Sequence, residues 1–201
     1  MHAPSSNRVK HSPRSTGRGA LAAALLASFF VGCSSSSGGS SDSGPAAPKG
    51  AGARAPDFAG RDVQGNTVRL SDHLGKEVIL LNFWSTFCEP CMAEFPHMRR
   101  ITAENKAKGF TTIAVSMDGP ETVAQVPSFV KRNQLDTEFI VVYDEDSVIA
   151  SLYNPKKAAP LSVVIDRSGA IRHIHEGYNP GDEEFLEKEI KALVDEAPKP
   201  L

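Results

Sequence analysis

Residues 84–96 read WSTFCEPCMAEFP, and Cys88 and Cys91 stand two residues apart where an apolar run stops and a proline appears. Such a pair can be a redox couple, half of a metal site, or buried packing. A tetrahedral zinc site takes four ligands, usually two such pairs or one pair with two spaced histidines. The chain has three cysteines, and the third, Cys33, is remote, so there is no second pair. His173 and His175 share one face of a predicted strand, and read as the solvent-facing polar side of an edge strand. Neither a metal nor a cofactor is expected. Packing is disfavoured because Glu89 and Pro90 separate the thiols at a predicted helix start, a polar place. Redox chemistry has a mechanism. Cys88 just before a helix meets unpaired N–H groups and the helix dipole, which stabilise a thiolate. It can attack a partner's disulfide, and Cys91, one turn in, can resolve the mixed disulfide. Glu89 sets a carboxylate beside the thiols and so opposes the thiolate. Glu94, three residues past Cys91, lies one turn on along the same face.

These residues need a strand and a helix to position them. EVILLNFW (77–84) is a continuous apolar run of strand length, which fits a strand buried on both faces. A helix pattern opens at Pro90, with Cys91, Phe95, Met98 and Ala107 on its apolar side and Gly109 at its end. Pro90 suits a first turn, and Pro96 predicts a kink. Before this, 56–75 reads as a hairpin about Gly65 and Asn66, followed by a short helical turn. After it come a strand at 110–118, a helix over 120–134 divided at Pro127, a strand at 138–144 and a short helix at 146–153. The segments 160–166 and 170–176 pair as a hairpin. A last helix opens at Asp182 as N-cap, with Glu183 and Glu184 in its first turn and Leu186, Ile190, Leu193 and Val194 buried.

The chain of 201 residues is 40% hydrophobic and 23% charged, enough for one domain with a sizeable core. A net charge of −2 offers no field for nucleic acid. Residues 1–19 are basic, and the apolar run 20–31 is too short to cross a bilayer, which takes ~20 residues, so 1–32 reads as a signal peptide. Its ending, FVGC, resembles the bacterial lipobox, with Phe30 where that motif usually has Leu. The resemblance implies cleavage before Cys33 and lipidation of its sulfur. Residues 33–54 are rich in Ser, Gly and Pro and read as a flexible tether. Ser34 after the lipidated cysteine points to an outer-membrane destination by the enterobacterial sorting rule. The folded domain is expected over 55–197, with a tail at 198–201.

A strand, then W-x-x-x-C-x-x-C opening a helix, then a proline-led hairpin resembles the thioredoxin fold. More narrowly, LLNFWSTFCEPCMAEFPHM, PDFAGRDVQGNTVRLSDHLGK and AAPLSVVIDRSGAI resemble the active-site, N-terminal hairpin and cis-proline segments of the membrane-tethered TlpA/ResA reductases. The match covers 55–195. It implies an α/β thioredoxin-like fold: a central mixed β-sheet flanked by helices, with an N-terminal β-hairpin. It makes Glu94 the family's active-site glutamate, managing the proton of Cys91. It makes Pro160 the cis-proline, leaving the backbone of Ala159 to pair with an extended substrate. Trp84, Glu89 and Pro90 would complete the groove, with Phe87 beside them. Asn82 stands where thioredoxin has a buried Asp. The expected activity is reduction of protein disulfides in the cell envelope, with electrons from a membrane donor of the CcdA/DsbD kind and apocytochrome c as one candidate substrate. Two rivals remain. Peroxiredoxins share the fold, but place Thr three residues before the reactive Cys, whereas Thr86 is two before Cys88. A binding or chaperone module could carry the pair as a vestige.

Overall fold

The apolar run at 77–84 forms a strand buried along its whole length, Val78–Trp84, and the rest of the computed structural model, which describes residues 50–197, is arranged about it. In chain order the elements are β1 (Ala59–Asp62), β2 (Thr67–Arg69), β3 (Val78–Trp84), α1 (Glu89–Asn105), β4 (Phe110–Ser116), α2 (Val126–Asn133), β5 (Phe139–Tyr143), α3 (Val148–Tyr153), β6 (Leu161–Ile165), β7 (Ile171–Glu176) and α4 (Asp182–Asp195). The strands make one sheet in the order β2-β1-β5-β4-β3-β6-β7. β3, β4 and β5 run parallel, and β6, β7 and the N-terminal hairpin are antiparallel. This is the thioredoxin-like mixed sheet with an added hairpin that the sequence leads one to expect.

β3 is apolar throughout because both its faces are covered. Val78, Leu80 and Trp84 meet Phe95, Met98 and Ile101 of α1, Phe129 of α2 and Ile190 of α4. Ile79, Leu81 and Phe83 meet Phe58, Leu70 and, from α3, Ile149 and Tyr153. Each such side chain contributes ~1.5–3 kcal/mol on full burial. Asn82 is the polar member of β3, and it points to the α1 side, where it reaches Glu94.

Several expectations are corrected. α1 begins at Glu89 and continues through Pro96, which removes the donor that would bond the carbonyl of Met92. Cys91, Phe95 and Met98 are buried as expected, but Ala107 is exposed in a 3-10 turn after the helix, and the buried line continues through Ile101, Thr102 and Asn105. Gly109 closes that turn at φ 77°, where a Cβ would lie 2.9 Å from the carbonyl oxygen of Lys76. The stretch expected as a helix over 120–134 is divided near Pro127, into a 3-10 turn at Val123–Gln125 and α2, and the proline sits in the first turn of α2, where its missing N–H costs nothing. Asp182 is the first residue of α4 rather than its cap, since Gly181 holds the cap position at φ 106°. The aspartate instead accepts the Asn179 N–H from outside the helix, at 2.7 Å.

Residues 52–54, expected in the tether, are bonded to the β6–β7 turn. The Gly52 N–H donates to the carbonyl of Ile171, the Ala55 N–H donates to that of Gly169, and Arg54 bridges Ala170. β6 is antiparallel to β3, with Ile165 opposite Ile79 and Leu161 opposite Phe83. That turn therefore lies at the end of the sheet away from Trp84. At the same end, the Arg167 guanidinium donates to carbonyls of Lys76, Lys108, Leu193, Val194 and Glu196. The expected signal peptide, Cys33, most of the tether and the tail lie outside the described residues. Among the described residues, no helix is long and apolar enough to cross a membrane.

Candidate active site

β3 ends at Trp84 and the chain turns into α1 through Ser85–Cys88. Cys88 is the extended N-cap residue of the helix, and its Sγ accepts the N–H of Cys91 at 3.3 Å. The two cysteines form a disulfide with their Cα atoms 5.3 Å apart, within the usual range for such a bridge. Cys91 is fully buried, whereas Cys88 keeps 7% of its surface exposed, so only the first sulfur is reachable. The loop before it is pinned by Asp118. That buried carboxylate accepts the N–H of Thr86 at 3.0 Å, the Thr86 hydroxyl at 2.5 Å and the Ser116 hydroxyl at 2.9 Å. From sequence, Asp118 is the last residue of the strand expected at 110–118, with no role in the site. Its one signal is a Ser-x-Asp at the C-terminal end of a buried strand, the end of the sheet where the active-site loop emerges.

The remaining groove residues divide. Pro160 is preceded by a cis peptide bond. Ala159 packs on the core cluster that holds both cysteines, and among the described residues nothing hydrogen-bonds its backbone. Glu89 and Pro90 are exposed at the helix start, and Phe87 is 75% exposed. Trp84 does not line the groove. It has no exposed surface and packs edge-on to Phe95 at 5.4 Å, beneath the disulfide, where a substrate chain cannot touch it.

Glu94 is 3% exposed. One carboxylate oxygen accepts from Asn82 Nδ2 at 3.1 Å, and the other accepts from the Ser162 hydroxyl at 3.3 Å. Asn82 Nδ2 also donates to that hydroxyl. Burial pushes the acid up to about 7, against the pull of those two hydrogen bonds and of nearby His175. Ser162 was invisible in the sequence, being one small residue in an apolar strand. The histidines are also corrected. β7 is an edge strand, but α4 covers this face. His173 stacks on His175 at 6.1 Å and packs on Phe185 at 4.8 Å, and His175 Nε2 lies 3.0 Å from Asp182 Oδ2. Among the described residues, no three His, Cys, Asp or Glu side chains converge as a metal site. The site holds one reachable sulfur under a helix amide, one buried sulfur, and a carboxyl group able to change its proton near neutral pH.

Residues 51–174 match the AhpC/TSA family. The chain is 40% identical over 127 residues to the thiol-disulfide oxidoreductase ResA of Oceanobacillus iheyensis, covering 61% of this chain and 63% of that one. It is 37% identical over 143 residues to the ResA of Bacillus thuringiensis subsp. konkukian, covering 71% of this chain and 78% of that one. The alignment thus spans just under two thirds of the first relative and over three quarters of the second. Among solved structures, a candidate thiol:disulfide interchange protein DsbE from Chlorobium tepidum superposes with a TM-score of 0.64 at 38% identity, covering 72% of this chain and 97% of that one. The exposed lipoprotein thioredoxin Etrx1 of Streptococcus pneumoniae does so at 0.58 and 25% identity, covering 69% and 100%. With a C-x-x-C disulfide on a thioredoxin-like sheet and relatives at this level, the chain belongs to the AhpC/TSA family and to the ResA-type thiol-disulfide oxidoreductases.

Proposed function

We propose that this chain is an extracytoplasmic reductase of protein disulfides, held at a membrane by lipid on Cys33. Cys88 is the attacking thiol, Cys91 the resolving thiol, and Glu94 the group that takes the proton of Cys91. The observation that carries the reading is the asymmetry of the pair: an accessible Cys88 Sγ under the Cys91 amide, and a buried Cys91 one turn from a buried carboxyl. The free backbone of Ala159 beside the cysteines suits an extended substrate. The electron source is a membrane thiol donor of the CcdA/DsbD kind, and apocytochrome c is one candidate substrate. The pneumococcal relative named a lipoprotein supports the anchored reading, and Cys33→Ser should then release the protein from the membrane fraction.

The test is a trap. Cys91→Ala keeps the attacker and lacks the resolver, so mixed disulfides with substrates should persist on non-reducing gels of envelope extract. Cys88→Ala should trap none, because a new disulfide needs the exposed thiolate. Equal trapping by both variants would reverse or void the roles. The acids beside the pair disfavour the thiolate, so the midpoint potential should fall nearer ~−270 mV than ~−120 mV. A value above roughly −180 mV would make oxidation or isomerisation the better reading. The AhpC/TSA match leaves peroxide reduction as the rival. The Thr86 hydroxyl is donated to Asp118 and is not available to a peroxide. Peroxide consumption that survives Cys91→Ala would nonetheless revive that rival.

A further inference from the structure

Glu94 is sealed on its cysteine side, because Cys91 and Trp84 have no exposed surface. It also forms part of the wall of a small cavity on its other side. The far walls are His173 and His175 of β7, Tyr178 of the following loop, and Asp182, Glu183, Phe185 and Leu186 of α4, with Ser162 between the two sides. Its accessible volume, about 10 Å³, is close to that of one water. At its outer end, His175 Nε2 and Asp182 Oδ2 are 3.0 Å apart with both side chains about one third exposed. Asp182 is itself held by the N–H of Asn179. Glu183 is committed elsewhere: it accepts from the Tyr178 hydroxyl and the Gly181 N–H and faces His97. His173 is packed between His175 and Phe185, and burial lowers its pKa.

We infer that His175, oriented by Asp182, is the proton relay between Glu94 and solvent, acting across the cavity through one water. The inference rests on the reductase reading and adds residues to that site. In the oxidising half, Cys91 S–H gives its proton to the Glu94 carboxylate as its sulfur attacks Cys88 Sγ. The Cys88–substrate bond breaks, and the substrate sulfur leaves as a thiolate that takes a proton from solvent. In the reducing half, a donor thiolate attacks Cys88 Sγ, the Cys88–Cys91 bond breaks, and the Cys91 thiolate takes a proton from Glu94; the second thiolate of the dithiol donor then attacks the donor sulfur, the donor–Cys88 bond breaks, and Cys88 leaves as a thiolate. Below about pH 7 the buried acid keeps its proton between the halves. Above that pH the proton is lost to solvent and must be returned, and His175 with Asp182 is the built route among the described residues.

The experiment is single-turnover reduction of the Cys88–Cys91 disulfide by dithiothreitol in the full chain, followed by fluorescence of Trp84, the chain's one tryptophan. His175→Gln keeps a polar group for Asp182 but cannot relay a proton. It should slow the step by about 10-fold or more at pH 8, within the range of general acid–base effects, and leave it within about twofold at pH 6. His175→Ala should behave alike, and added imidazole should restore its rate at pH 8, a rescue that a packing defect would not show. Asp182→Asn should slow the alkaline limb in the same direction, with α4 melting unchanged. Equal slowing of His175→Gln at both pH values, or none at pH 8, would overturn the relay. If the wild type reduces insulin and Glu94→Gln alters the pH profile while His175→Gln does not, the relay falls and the reductase stands. If the wild type fails to reduce insulin, both fall.

Discussion

Asp144 and Glu94 are both almost fully buried, at 5% and 3% exposure, and burial raises the pKa of each. Their surroundings differ in kind. Asp144 directly follows β5 and accepts the backbone N–H groups of Ile149 and Ala150 at 2.8 and 2.7 Å, the unpaired amides of the first turn of α3. Those donors are fixed by the helix and aimed at an anion. Glu94 has two side-chain donors, Asn82 and Ser162, and a cavity behind it. Depth alone does not make a functional acid. Asp144 is wired to backbone and serves the fold, while Glu94 is wired to side chains and can hold or lose a proton.

The largest effect that could break this comparison is on the pH dependence of stability. A carboxyl raised from 4.5 to about 7 by folding binds more protons folded than unfolded between those values. Its contribution is therefore full below about pH 4.5 and lost as pH rises through about 7, a change on the order of 3 kcal/mol. Glu94→Gln should remove most of that slope, and urea melts at pH 5 and 8 measure it. A variant with the wild-type slope would put Glu94 in the same class as Asp144. Next in size is Asp144→Ala. It leaves two buried amides without acceptors and should cost about 1–3 kcal/mol, read as a lower urea midpoint, while disulfide reduction by the folded protein is unchanged. The smallest effect sharpens the contrast. Ser162→Ala removes a donor that favours the Glu94 carboxylate, so the midpoint of the alkaline limb should move up in pH, with the reaction otherwise intact. A downward shift would mean that Ser162 is not a donor to the anion.

The sequence made the C-x-x-C pair, the buried strand before it and the proline-led hairpin legible because each leaves a local signature: a spacing, an unbroken apolar run, a turn. What it concealed was the back of the site. Ser162 reaches Glu94 from 68 positions away, and nothing local distinguishes it from any small strand residue. His173 and His175 alternate correctly for an edge strand, and period two says that they share a face. It does not say that α4 covers that face, because a helix docked on an edge is a tertiary decision. Trp84 was misplaced for the same reason. A residue at the mouth in sequence can lie beneath it in space. Asp182 has the side chain of an N-cap, but Gly181, able to take φ 106°, holds that position and leaves the carboxylate to Asn179 and His175.

The bonding of residues 52–55 onto the β6–β7 turn has a consequence for reach. That turn and the cysteines stand at opposite ends of β3, six residue steps or roughly 20 Å apart at ~3.3 Å per residue. Whatever holds the chain ahead of Gly52 therefore holds the domain by its heel, with the reactive sulfur on the opposite tip. A domain held there would work as an arm whose length is set by the sheet, and lengthening or shortening the preceding segment would change how far that tip travels without altering what it does on arrival.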